Sequence, residues 1–167
     1  MLFVSAVESP IGVLTLARGP HGLLRLALSG ETTQGVADDL RARLGEDASD
    51  DDAALADVRD QLDRYFAGEL QEFDVALDWT LAHGFRRACC EAMMRIPYGT
   101  TVTYAELAAN AGNPRAVRAA GQACATNPIA VIGPCHRVLA TTGFGGYGGG
   151  LDQKRTLLAL EGALLVA

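Results

Sequence analysis

Along residues 1–30 the apolar positions fall into three short runs separated by turn-forming residues. Residues 2–7 precede Ser9-Pro10-Ile11-Gly12, residues 13–17 precede Gly19-Pro20 and Gly22, and residues 23–28 follow. Short apolar runs joined by tight turns predict a small antiparallel meander. Farther on, Leu55, Val58, Leu62, Tyr65 and Phe66 recur at roughly helical spacing, which predicts one amphipathic helix closed by Gly68. Between them, residues 45–52 (GEDASDDD) are acidic and poor in apolar side chains, as in a solvated loop. Residues 71–80 read as an extended connector. A boundary near residue 80 therefore divides the chain into an N-terminal α/β domain, 1–80, and a C-terminal domain, 81–167.

The second half reads as mainly helical. Apolar spacing predicts a helix over 85–96, stopped by Pro97-Tyr98-Gly99. Thr103-Tyr104-Ala105-Glu106 has the capping-box pattern and predicts a helix start just before Tyr104, with an end at Gly112. Asn113-Pro114 then reads as a cap and first turn for a helix over 115–125. Two helices around a turn containing Gly112, the second carrying Arg115 and Arg118, have the ingredients of a helix-turn-helix. Many helical proteins contain such pairs, so this pattern alone does not establish DNA binding.

Charge changes the picture of each half. The net charge of -6 and a pI near 5.0 argue against a chain coated in basic residues. That average hides a split, because residues 1–80 hold 6 Lys/Arg against 16 Asp/Glu, whereas residues 81–167 hold 8 against 4. A nucleic-acid site in the second half is thus compatible with the total. The first residues lack a basic segment ahead of their apolar stretch, so no secretory leader is read, and no run is suited to a bilayer. Cys89, Cys90, Cys124 and Cys135 show no CxxC spacing, and His21, His83 and His136 are scattered, so no metal site is expected. A soluble, cytoplasmic protein with reduced thiols is expected.

The densest chemistry lies at 127–138, where a β-branched apolar run ends in Gly133-Pro134 and is followed by Cys135-His136-Arg137-Val138. A thiol becomes a strong nucleophile as the thiolate, which needs a base or a positive charge beside it. His136 is positioned in sequence to take the proton, and Arg137 adds positive potential. A carboxylate would have to orient the imidazole, and the second half offers only Glu91, Glu106, Asp152 and Glu161. As a bare pair, however, Cys135 and His136 read more commonly as a small buried hydrophobe and a surface residue.

The string Pro134-Cys135-His136-Arg137-Val138 resembles the active-site motif of the O6-alkylguanine-DNA alkyltransferases, the methylated-DNA–protein-cysteine methyltransferases. The resemblance extends in order through Ile96-Pro97-Tyr98-Gly99, Thr103-Tyr104, Leu107-Ala108, Gly112-Asn113-Pro114, Arg118-Ala119 and Asn127-Pro128. It continues through Gly146-Tyr147, Gly149-Gly150-Leu151, Lys154, Leu157-Leu158 and Glu161-Gly162. It covers residues 80–163 strongly and the first half in outline. The fold it implies is α+β: an N-terminal small antiparallel β-sheet domain with one helix, ribonuclease H-like in outline, then a C-terminal mainly α, helix-turn-helix (winged-helix-like) domain.

The reaction implied by the resemblance is a single, irreversible transfer of a methyl or small alkyl group from O6-alkylguanine in double-stranded DNA, less efficiently from O4-alkylthymine, to Cys135. By similarity, His136 deprotonates Cys135 through a water, Glu161 holds the imidazole, and Asn127 braces the turn. The target nucleotide is flipped out of the duplex, Arg118 fills the space it leaves, and Tyr104 crowds the phosphate and donates a hydrogen bond to the departing guanine. Tyr147 stacks on the base, backbone near Gly148 faces the O6 substituent, and Arg115, Arg137 and Val138 belong to the DNA- and substrate-binding side. The mechanism implies no cofactor and no metal, and no membrane or obligate protein partner is implied.

The chain also departs from the family pattern. Gly148 stands where Ser is common, Cys124 where a larger residue lines the pocket, and Gly133 where a branched aliphatic precedes Pro134. Phe85-Arg86 and Ala88-Cys89-Cys90 replace the usual residues of the first helix, with Cys89 and Cys90 read as core fillers. A non-catalytic protein that recognises alkylated DNA, or a regulatory helix-turn-helix protein, is the alternative reading, disfavoured by Cys135 beside His136. A thiol hydrolase is a third, distinguished by turnover on an ester or peptide.

Overall fold

In the computed structural model, which describes residues 1–163, the chain divides into two units, Met1–Leu81 and Ala82–Ala167. In the first, strands β1 (Leu2–Ser9), β2 (Gly12–Gly19) and β3 (Gly22–Ala27) form the antiparallel meander read from the sequence. Two-residue loops join them, and the Ser9 hydroxyl closes the first by donating to the Gly12 carbonyl at 2.7 Å. The residue 71–80 connector hydrogen-bonds back onto β3, where Leu23 N–H donates to Ala76 O and Asp78 N–H to Leu23 O.

Two features of this unit depart from expectation. Helix α1 (Thr33–Leu44) is present in addition to the amphipathic helix α2 (Ala56–Phe66), and strand β4 (Ala48–Asp50) pairs parallel with β1. The sheet is therefore mixed, in the order β3-β2-β1-β4. Thr32 caps α1 by accepting from Gly35 N–H at 3.0 Å. Only Val36 and Leu40 of α1 are buried, a stripe too narrow to register as periodicity. They pack with Leu2, Val4, Ala17, Leu24, Ala27 and Leu81. Ser5, on the opposite face of β1 by strand alternation, accepts a hydrogen bond from Arg59 of α2 at 2.7 Å. With α1 on one face and α2 on the other, the central strands read as unbroken apolar runs.

The second unit packs helices α3 (Gly84–Met93), α4 (Tyr104–Asn110) and α5 (Val117–Ala125) against one another, and ends in α6 (Leu151–Leu160). Thr103 caps α4, its hydroxyl accepting from Glu106 N–H at 3.1 Å. Asn113 does not cap α5. Its carboxamide oxygen accepts from Arg115 N–H in a turn, and the helix begins two residues beyond the expected start. Short strands β5 (Val102–Thr103) and β6 (Val138–Leu139) pair in parallel. Cys89, Cys90, Met93, Leu107, Ala120 and Ala123 fill the core between helices. All four cysteines are free thiols.

Candidate functional site

The segment that leads to Cys135 is not a strand. Residues 128–134 form buried irregular backbone, with Val131 at φ +68°. A β-branched residue in the left-handed region costs on the order of 1–3 kcal/mol and persists only where its surroundings dictate it. Asn127 supplies that constraint. Its carboxamide oxygen accepts from Ile129 N–H at 3.1 Å and its nitrogen donates to Gly133 O at 2.8 Å, tying both ends of the loop to one side chain. Cys135, 5% exposed, then opens a 3-10 turn over Cys135–Arg137. Burial pushes its thiol pKa up, against smaller opposing effects from the Asn127 amide and the Lys154 ammonium.

His136 is fully buried, with Nε2 2.9 Å from Glu161 Oε2. Glu161 lies just beyond the last residue of α6. Its carboxylate is also gripped from the side by Arg137, whose Nε and Nη2 donate at 2.8 and 2.9 Å. An ionised, twice-bonded carboxylate makes His136 Nε2 the protonated nitrogen and leaves Nδ1 as the basic one. Nδ1 has no hydrogen-bond partner among the described residues. Burial lowers the imidazole pKa, against the opposing pull of Glu161. At neutral pH the site therefore holds a neutral thiol and a neutral base.

The sequence reading put Arg137 on the DNA-binding side, whereas its guanidinium is turned inward. It is 8% exposed, donates to Glu161 and to Ile96 O at 2.6 Å, and stacks 5.7 Å above the Tyr98 ring. A buried guanidinium committed to these partners cannot neutralise a phosphate. The same contacts explain the Ile96-Pro97-Tyr98-Gly99 string. Ile96 supplies the carbonyl, Tyr98 supplies the ring and donates its hydroxyl to Leu160 O at 3.2 Å, and Gly99 passes close to Glu161. Gly99 adopts φ +78°, and a Cβ there would stand 3.1 Å from the Glu161 carbonyl oxygen. The Val138 side chain is likewise buried, paired in β6, so it presents no surface to a ligand.

Beside Cys135 lies a cavity of about 280 Å³, lined by Tyr104, Gly121, Cys124, Ala125, Gly146, Tyr147 and Gly148. That is near the lower end of the range for pockets that enclose small molecules. The cavity brings together Cys135, Tyr104, Tyr147 and Gly148 from the sequence-derived set. The Tyr147 hydroxyl is buried without a hydrogen-bond partner among the described residues, and burial raises its pKa well above the ordinary value, so it remains a donor. Gly145, at φ +71°, allows the loop to run against Tyr104, since a Cβ there would meet the Tyr104 hydroxyl at 2.6 Å.

Lys154 was visible in the sequence only as part of a motif, yet it orders this wall. Fully buried on α6, it donates to Val138 O at 2.7 Å, Gly146 O at 3.0 Å and Phe144 O. All three ammonium protons are used. One signal was available: Lys154 is the single lysine beside 13 arginines. A planar guanidinium cannot aim three donors at three converging carbonyls as a tetrahedral ammonium can.

Arg115 and Arg118 are exposed, with no ion pair among the described residues. Arg118 lies one helical turn from Gly121 and two from Ala125, on the face of α5 that reaches the cavity mouth. Among the described residues no group of three His, Cys, Asp or Glu side chains could hold a metal, and no helix is long and apolar enough to cross a membrane.

Comparison with known proteins covers nearly the whole chain. The family described as 6-O-methylguanine DNA methyltransferase, ribonuclease-like domain, matches residues 2–79, and the corresponding DNA binding domain matches residues 84–163. A methylated-DNA–protein-cysteine methyltransferase of Mycolicibacterium paratuberculosis is 44% identical over 162 residues, 96% of this chain and 93% of that protein. One from Methanosarcina acetivorans is 40% identical over 164 residues, 97% of this chain and 99% of that protein. Among solved structures, Mycobacterium tuberculosis O6-methylguanine methyltransferase superposes with a TM-score of 0.84 at 42% identity, covering 100% of this chain and 96% of that one. The Mycobacterium tuberculosis OGT in complex with DNA gives 0.82 at 41% identity, covering 96% and 93%.

Proposed function

The chain belongs to the 6-O-methylguanine DNA methyltransferase family, and on that premise we propose that Cys135 is the residue that receives the alkyl group. The protein repairs DNA directly, moving a methyl or small alkyl group from O6 of guanine to its own cysteine. The carbon–sulfur bond forms as the carbon–O6 bond breaks, and the Cys135 proton passes through a water to His136 Nδ1. Tyr104 donates a hydrogen bond to the departing guanine, which would otherwise leave as an anion over a higher barrier. A thioether is not readily hydrolysed, so each chain acts once.

The observation that carries this assignment is the buried relay. Glu161, held by Arg137 on one side, accepts from His136 at 2.9 Å, which leaves Nδ1 as the basic nitrogen of His136, the residue that follows the cavity-lining Cys135. A target atom inside the base stack is reached only if the nucleotide turns out of the duplex. In this reading Arg118, exposed on α5, occupies the gap and the Tyr147 ring stacks on the base. O4-alkylthymine is a poorer substrate of the same site. Four free thiols fit a reducing, cytoplasmic setting.

Duplex DNA carrying labelled O6-methylguanine tests the assignment. One label per chain, on Cys135, is expected, and Cys135→Ala should bind the DNA but take no label. Label on another residue, continued turnover, or binding without transfer by the unaltered chain would overturn it.

A further inference from the structure

We propose that Tyr98 is a positioning residue for the proton relay. It holds the Arg137 guanidinium in plane, Arg137 holds the Glu161 carboxylate, and Glu161 keeps His136 in the tautomer whose Nδ1 is basic. The inference rests on the alkyl-transfer reading above and extends its relay to a residue that does not line the cavity.

The two oxygens of Glu161 carry different loads. Oε1 accepts from Arg137 Nε at 2.8 Å, whereas Oε2 accepts from Arg137 Nη2 at 2.9 Å and from His136 Nε2 at 2.9 Å. The oxygen that orients the imidazole is therefore also one that the guanidinium locates. A fork of two parallel bonds fixes direction as well as distance, so a tilt of the guanidinium would move Oε2 relative to His136.

Two contacts oppose that tilt. Arg137 Nη1 donates to Ile96 O at 2.6 Å, and the Tyr98 ring faces the guanidinium with its centroid 5.7 Å from Cζ, within cation–π reach. The same tyrosine also takes hold of α6, donating its hydroxyl to Leu160 O at 3.2 Å. Leu160 ends that helix and directly precedes Glu161, and its carbonyl is among the last four that a helix leaves without an internal partner. One side chain thus braces the carboxylate through its backbone and through its cationic partner. The turn that carries Tyr98 is itself pinned, since the N–H and hydroxyl of Thr100 donate to Pro97 O at 3.1 and 2.8 Å.

A side chain that only filled space would leave the imidazole tautomer unchanged when another apolar group replaced it. His21 and His83 are exposed, so His136 is the one buried imidazole of the three in the chain. Nitrogen-15 correlation spectra of the full chain at neutral pH distinguish Nε2–H from Nδ1–H imidazoles, and His136 should appear only as Nε2–H. Tyr98→Leu should populate the Nδ1–H form and lower the single-turnover rate on duplex O6-methylguanine by on the order of a hundredfold, as a misplacement of about 1 Å can. Tyr98→Phe, which keeps the ring, should restore the Nε2–H form and most of the rate. An unchanged Nε2–H spectrum in Tyr98→Leu, or a Tyr98→Phe chain as slow as Tyr98→Leu, would overturn the proposal. If Tyr98→Leu fails to fold by thermal unfolding, Tyr98→Met gives the same comparison with an unbranched side chain. Absence of methyl transfer by the unaltered chain would instead overturn the alkyl-transfer reading, while the spectra would still read the hold of Tyr98 on His136.

Discussion

On the proposed mechanism, Cys135 and His136 exchange a proton, and near neutral pH both are uncharged. Burial raises the Cys135 pKa and lowers that of His136, so the ion pair that attacks carbon forms only during the reaction. The acid side of the rate profile follows. His136 stays basic below its ordinary value of 6.5, and single-turnover transfer should lose half its rate only at a pH below 6.5. An inflection at or above 6.5 would contradict this. The alkaline side is set by stability. Burial holds the Cys90 thiol at about 12 and also raises those of Cys124 and Cys135 above 9.0, so the unfolded chain releases these protons first. Their contribution to stability is whole below pH 9.0 and shrinks as pH rises past it. Cys135, His136 and Glu161 could be singled out from adjacency and from the scarcity of carboxylates in the second half. Arg137 could not be placed, because exposure rather than residue type decides whether an arginine meets a phosphate or a buried carboxylate.

At the scale of elements, α6 joins two tasks. Lys154 and Glu161 stand seven residues apart, about two turns along one face. The first fixes the glycine-rich wall, and the second fixes the imidazole. Lys154→Arg should therefore behave nearly as badly as Lys154→Met, with single-turnover rates lower by on the order of a hundredfold, as a misplacement of about 1 Å can cause. Transfer by Lys154→Arg within threefold of the unaltered chain would show that charge alone suffices. The capped helix α4 and the three-strand meander were legible because their signals are local: a Thr103-to-Glu106 cap, and turns two residues long. Helix α1 was not, since it buries only two side chains, and β4 was hidden in an acidic stretch whose backbone, rather than its side chains, pairs with β1. The apolar run before Cys135 folds as a buried loop, which composition alone does not distinguish from a strand. Asn127 and the left-handed Val131, not the run's hydrophobicity, determine its path.

For the molecule as a whole, the acid is concentrated in residues 1–80 and the basic excess lies in residues 81–167. Burial reduces that excess further in effect, because Arg137 and Lys154 are enclosed with their partners, while Arg87 pairs with Glu91 and Arg155 approaches Asp152. Few cations remain to displace counterions from DNA. The logarithm of the affinity for undamaged duplex should fall with the logarithm of salt at a slope of about -2 to -3, which a binding titration across salt concentrations measures. A slope steeper than about -5 would require more phosphate contacts than the exposed arginines provide.

The double anchorage of α6 also constrains anyone who would redesign the site. Moving that helix to widen the loop wall would carry Glu161 with it and misalign the base, so the two adjustments cannot be made independently there. Among the described residues, no hydrogen bond from the α5 face holds the imidazole or the glycine-rich loop, so the shape of that boundary can be rewritten while His136 and Glu161 stay in register.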